Sequence, residues 1–88
     1  MKIELHPSFK KFYQKRIRPS PKLITKTEER IILFSKDPFN PVLQNHKLEG
    51  KKAHLRAFSI TGDIRIVYYP VRKNECLFLD IGTHNQVY

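Results

Sequence analysis

Ile64-Arg65-Ile66-Val67-Tyr68-Tyr69-Pro70-Val71 is the stretch that decides the fold. Ile64, Ile66 and Tyr68 alternate with Arg65, Val67 and Tyr69. Side chains of a strand point to opposite faces in turn, so this segment has one continuous apolar face, and such a face has to be covered. Working outward, Ala53 to Ile60 and Cys76 to Ile81 are rich in the same β-branched and aromatic residue types. Thr61-Gly62-Asp63 and Arg72-Lys73-Asn74-Glu75 separate them with turn composition. A meander of three antiparallel strands is expected over this half of the chain.

The other half supplies the cover. Ile3 and Leu5 alternate with Lys2 and Glu4, a short half-buried strand ended by His6-Pro7. Pro7-Ser8 opens a helix whose Phe9, Phe12 and Tyr13 make one aromatic face, with Lys10, Lys11, Lys15 and Arg16 on the rest. Arg18-Pro19-Ser20-Pro21 breaks that helix and starts another, since Ser20 can cap free amides and Pro21 suits the first turn. Ile24, Thr27, Ile31 and Phe34 form the second buried stripe, which stops before Asp37-Pro38. A loop through Phe39-Asn40-Pro41 and a polar segment from Gln44 to Lys52 lead into the strands. The expected fold is α+β: an N-terminal strand and two antiparallel helices packed on a mainly antiparallel four-stranded sheet. With no repeat, linker or low-complexity tract, residues 1–88 are expected to form one domain.

Composition narrows the classes of function. With 88 residues, 40% of them hydrophobic, six Phe and four Tyr, the chain can close one core. Its apolar runs are far shorter than the roughly 20 residues that span a bilayer. Its first residues, Met-Lys-Ile-Glu-Leu-His-Pro, lack an apolar signal core. The expectation is a cytoplasmic chain with no membrane partner. A lone Cys76 within Cys-Leu-Phe-Leu reads as a small buried hydrophobe and excludes a disulfide scaffold or a cysteine zinc site. Seventeen Lys and Arg against eight Asp and Glu leave a net charge of +9. Such a field attracts polyanions, although an acidic protein partner or solubility alone also accounts for it.

Most catalytic constellations are missing. Gly50, Gly62 and Gly82 are the only glycines and form no phosphate-cradling spacing, so no nucleotide cofactor is expected. His6, His46, His54 and His84 show no close pairing, so no metal site is expected. None of Ser8, Ser20, Ser35 and Ser59 sits in a nucleophile elbow. What remains is polar residues at strand ends: His46 before the second strand, Asp63 in the first hairpin turn, His84 after the fourth strand in a polar loop, and Tyr88 at the terminus. Each also has an ordinary reading as a turn former, a solvated histidine or a packed terminal aromatic.

Three motifs in order carry a family resemblance: His46-Lys47-Leu48-Glu49-Gly50, Gly62-Asp63-Ile64-Arg65-Ile66-Val67-Tyr68, and Ile81-Gly82-Thr83-His84-Asn85-Gln86-Val87-Tyr88. They resemble, respectively, the His-x-Leu-x-Gly element, the hairpin with Arg-Ile/Leu-Val-Tyr, and the closing Gly-Thr-His of the RelE/YafQ superfamily of toxins from toxin-antitoxin pairs. The resemblance implies a ribosome-dependent endoribonuclease that cuts messenger RNA and is held inactive by a cognate antitoxin. DNA would be met only indirectly, through the antitoxin complex. By position, His46, Asp63 and His84 match the histidine and aspartate set of the YafQ branch, and Tyr88 its closing aromatic. Where that branch has a further histidine in the second strand, this sequence has Ser59, and His54, five residues earlier, falls on the opposite face by parity.

The chemistry suits these residue types. Attack by a ribose 2′-hydroxyl on its own phosphate needs a base, positive charge for the phosphorane, and an acid for the leaving 5′-oxygen. Histidine fits either proton-transfer role, because its unperturbed pKa of about 6.5 lies near working pH. The expected roles are His84 as general acid or phosphate contact, His46 and Asp63 as base or relay, and Tyr88 as base or orienting group. Arg56 and Arg65 would lend charge to the phosphate, and Lys47, Lys51 and Lys52 would grip RNA. The competing expectation is a non-nucleolytic toxin of the ParE type, which shares the fold and inhibits DNA gyrase by binding it. The +9 charge predicts an acidic antitoxin in either case.

Overall fold

The computed structural model describes residues 1–88. Lys2–Leu5 forms strand β1, Pro7–Arg16 helix α1 and Pro21–Lys36 helix α2. Strands β2 (His46–Lys47), β3 (Arg56–Ser59), β4 (Ile64–Arg72) and β5 (Glu75–Thr83) follow, and His84–Val87 forms a short helix α3. The sheet order is β1-β5-β4-β3-β2, with β1 parallel to β5 and every other pair antiparallel. The sheet thus has five strands where four were expected. The extra one, β2, is two residues long and exists through its pairing with β3, His46 opposite Ala57 and Lys47 opposite Arg56.

Local chemistry sets the helix ends. Ser20 caps α2, its hydroxyl accepting the Leu23 N–H at 3.3 Å, with Pro21 in the first turn. Nδ1 of His6 accepts the Ser8 N–H at 3.0 Å, and the Ser8 hydroxyl donates to the Leu79 carbonyl at 2.7 Å, which fastens the start of α1 to β5. Single turns of 3₁₀ helix at Pro41–Leu43 and Gly50–Lys52 shape the connection between α2 and β3. Gly50 takes a left-handed φ of 64°, open to glycine without strain, and the turn it begins shortens β3 to Arg56–Ser59. His54 therefore lies ahead of the strand, with its ring edge-on to Tyr69.

Both faces of the sheet are used, unequally. Ile64, Ile66 and Tyr68 face the helices, joined by Phe58, Phe78 and Ile81 from the neighbouring strands, by Ile60 just past β3, and by Phe9 of α1, Ile17 at its end and Phe34 of α2. The alternation read from β4 is thereby observed. Aromatic contacts centre on Phe34, which stacks on Phe58 at 4.2 Å and meets Tyr68 and Phe78 edge-on. On the opposite face a smaller core gathers Leu48, Ala57, Val67 and Val87, with Leu55 beside it. Val87 comes from α3, so this second core holds the C-terminal helix against the sheet.

Candidate functional site

The second core fixes where the polar groups converge. His46 pairs with Ala57, a member of that core, and α3 docks on it through Val87. His46, His84 and Tyr88 therefore meet beside it in an open cleft of about 360 Å³, lined further by Lys47, Leu48, Glu49 and Lys52. The Tyr88 ring lies between the two imidazoles, with ring centroids 4.5 Å from His84 and 6.2 Å from His46, edge-on to both. Its hydroxyl is 3.4 Å from His46 Nε2.

The His46 tautomer follows from its second nitrogen. Nδ1 is 2.9 Å from the Gln44 carbonyl oxygen, which can only accept, so Nδ1 carries the proton. In the neutral ring Nε2 then presents a lone pair toward the Tyr88 hydroxyl, which donates to it. Burial raises the Tyr88 phenol above its ordinary range, partly opposed by the positive charge of Arg65. Tyr88 accordingly keeps its proton at neutral pH.

Ser59, the departure from the family pattern, has a different task here. Its hydroxyl is buried, accepts from Arg65 Nη1 at 2.6 Å and donates to Gln44 Oε1 at 3.1 Å. Arg65 also donates to the Gly62 carbonyl at 3.4 Å. A serine in this place clamps the guanidinium on the cleft side of the sheet. Gln44, itself in a left-handed turn with φ 50°, thus anchors two groups, His46 by its carbonyl and Ser59 by its side chain.

Helix α3 begins at His84, where a loop was expected. Gln86 Oε1 accepts the Thr83 N–H at 2.8 Å, the glutamine arm of a capping box, and Lys52 Nζ donates to the Val87 carbonyl at 3.1 Å at the other end. The Thr-x-x-Gln spacing was readable in the sequence. Glu49, a carboxylate in the cleft, had no such signal.

Four expected residues do not line the cleft: Arg65, which Ser59 holds on the same face of the sheet, and Asp63, Arg56 and Lys51. Asp63 lies in the hairpin turn, exposed, and does not line the cleft; its backbone N–H meets Thr61 Oγ1 at 3.2 Å. It is at the same end of the sheet as His84, because Ile64 pairs with Thr83, immediately before His84. Arg56 pairs with Tyr68 and so points to the helix side, where its Nε donates to Asn45 Oδ1 at 2.9 Å and its guanidinium covers Phe39. Lys51 is exposed on the turn beside the cleft and is not among its lining residues, unlike Lys47 and Lys52. No group of three His, Cys, Asp or Glu side chains gathers to hold a metal ion, and no helix is long and apolar enough to cross a membrane.

A model of the bacterial YafQ toxins of type II toxin-antitoxin systems matches residues 1–88. This chain belongs to that family. A conserved hypothetical protein from Helicobacter pylori, solved in solution, is 30% identical, covering 100% of this chain and 99% of its own, with a TM-score of 0.70. A copper-bound mutant toxin from the same organism is 29% identical, covering 100% and 99%, with a TM-score of 0.74. YafQ of Escherichia coli in its complex with DinJ, a toxin-antitoxin complex, shares the fold at 22% identity and a TM-score of 0.75, covering 99% of this chain and 96% of that one. No curated sequence matches the chain.

Proposed function

We propose that this YafQ-family toxin is a ribosome-dependent endoribonuclease that cleaves messenger RNA by assisted attack of the 2′-hydroxyl, and so blocks translation in the cytoplasm. The observation that carries the reading is Tyr88 set between two histidines, with a lone pair of His46 aimed at its hydroxyl. One histidine can serve as base while the other serves as acid, which is the minimum that the reaction demands. His46 takes the 2′-hydroxyl proton on Nε2 once the substrate hydroxyl displaces the Tyr88 hydroxyl, 3.4 Å away, from that lone pair. His84, at the start of α3, delivers a proton to the 5′-oxygen. Tyr88, a phenol that is protonated at neutral pH and whose pKa burial raises further, orients His46 and the substrate and does not act as the base.

Charge for the phosphorane comes from Arg65, held on the cleft side by Ser59, with Lys47 and Lys52 on the cleft wall. Asp63, at the same end of the sheet, acts on His84 through the ordered substrate or solvent and not by direct contact. The cleft is open to solvent, as suits a substrate that the ribosome presents. Inhibition comes from a cognate acidic antitoxin that covers these groups, with apolar burial giving affinity and the +9 charge giving speed of association.

Primer extension on a message after incubation with purified protein and translating ribosomes tests the reading. Discrete, codon-phased cuts that require the ribosome are expected. Absence of cuts, with inhibition of gyrase in their place, would establish the non-nucleolytic alternative.

A further inference from the structure

Helix α3 is four residues long, too short to hold its own shape in water, since a helix of that length scarcely repays its nucleation. Yet it begins with His84 and is followed by Tyr88, two of the three groups that meet in the cleft. Something outside the helix has to fix its pitch. Val87 pins one side into the second core, and Lys52 holds the last carbonyl. The first turn depends on Gln86, whose Oε1 takes the Thr83 N–H at 2.8 Å.

That glutamine lies directly over Gly82. A methyl group on Gly82 would come within 2.6 Å of Gln86 Oε1, 3.1 Å of Gln86 Cβ and 2.8 Å of Arg16 Nη1. The glycine is therefore required for space and not for backbone conformation, as it has no positive φ. Arg16 closes the other side of this small space, donating to Asp80 Oδ1 at 3.2 Å and to the Ile81 carbonyl at 3.0 Å. Its bonds hold the end of β5 still at the point where α3 starts.

We propose that Gln86 and Gly82 are positioning residues: the glutamine bridges back to Thr83 through room that only glycine leaves, and this bridge sets the placement of His84 and Tyr88. The assignment rests on the nuclease reading for its catalytic consequence and on geometry for the rest. Because the atoms a Gly82 methyl would strike are mostly ends of flexible side chains, the Gly82→Ala chain can fold by swinging Gln86 aside. What it loses is the bridge.

The test uses the full chain in four variants: Gln86→Ala, Gln86→Glu, Gly82→Ala and the Gly82→Ala/Gln86→Ala double. Ring resonances of His84 and Tyr88, which shift each other through their 4.5 Å edge-on contact, are read by NMR without ribosomes. Ribosome-dependent cleavage and the thermal midpoint are read in parallel. Gln86→Ala and Gly82→Ala are expected to move both sets of resonances and to slow cleavage at saturating ribosomes by on the order of 10²-fold, the scale of a small misplacement of reacting groups. Gln86→Glu, which keeps the acceptor, is expected to restore the wild-type resonances and most of the rate. The double variant should be no worse than either single one, because both remove the same bridge. Unmoved resonances in Gln86→Ala, failure of Gln86→Glu to restore them, additive losses in the double variant, or a Gln86→Ala chain that unfolds would each overturn the proposal. If the wild-type chain cuts no message, the nuclease reading fails, and the resonances still decide whether the bridge positions α3.

Discussion

Phe34 of α2 touches aromatic residues of β3, β4 and β5, and truncating it tests whether the aromatic cluster carries the fold. Its side chain is 1% exposed and stacks on Phe58 at 4.2 Å with the rings 7° from parallel, while Tyr68 and Phe78 meet it edge-on at 5.0 and 5.8 Å. Removing a buried phenyl ring costs about 3–5 kcal/mol. Aromatic pairs add ~0.5–1.5 kcal/mol each beyond the area they bury, which places Phe34→Ala near the top of that range, about 4–5 kcal/mol. An 88-residue domain has a total stability of about 4–13 kcal/mol, so the variant forfeits a third or more of it. In urea unfolding followed by far-ultraviolet circular dichroism, the midpoint should fall by about 2–4 M. Phe39→Ala, at a ring that is 65% exposed, should move it little. A fall of less than about 1 M for Phe34→Ala, with unchanged slope, would refute the view that this cluster joins helix and sheet.

Three further outcomes follow from the site and the thiol. Tyr88→Phe keeps the ring and removes the hydroxyl, so single-turnover cleavage should slow by only roughly two- to tenfold, the worth of one hydrogen bond; a loss of a thousandfold would make Tyr88 a proton-transfer group. His84→Ala should abolish most cleavage with the fold intact, and His84→Gln should rescue little, since an amide cannot transfer a proton; general acid help is worth about 10²–10⁴-fold, and wild-type cleavage at saturating ribosomes would remove the catalytic role. Burial pushes the Cys76 thiol up to about 11 from an ordinary 9.0, which favours the neutral thiol in the folded chain. Its contribution to stability is therefore complete below pH 9 and is lost as pH rises toward 11, so the urea midpoint should drop across that window in wild type and less in Cys76→Ala.

The alternation of Ile64, Ile66 and Tyr68 and the Ser20-Pro21 helix start were legible because each is a local pattern with a local cause. β2 was not, because two residues carry no periodicity and His46–Lys47 becomes a strand only once β3 lies beside it. The side on which Arg56 points was hidden for a related reason. Parity along one strand ranks residues as same or opposite, but only pairing with Tyr68 says which side meets the helices. His46, His84 and Tyr88 were marked by resemblance and polarity, whereas Gln44, Ser59 and Gln86 act through partners distant in sequence or through a turn too short for a helical signal. Asp63 was read as a partner of the histidines, and the structure leaves it at the same end of the sheet without contact.

The pairing of β1 with β5 has a consequence for the life of the chain during synthesis. β5 lies between β1 and β4, yet it is the last of the five strands in chain order, and α3 follows it. Until β5 has been synthesised, β1 has no neighbour and α1 lacks the strand that its Ser8 and Arg16 grasp. His84 and Tyr88 follow β5 in the chain, so they are joined after every strand of the sheet. The order of synthesis therefore runs against the order of packing: β1 and the helices wait for β5, and the cleft is assembled only after α3 docks through Val87.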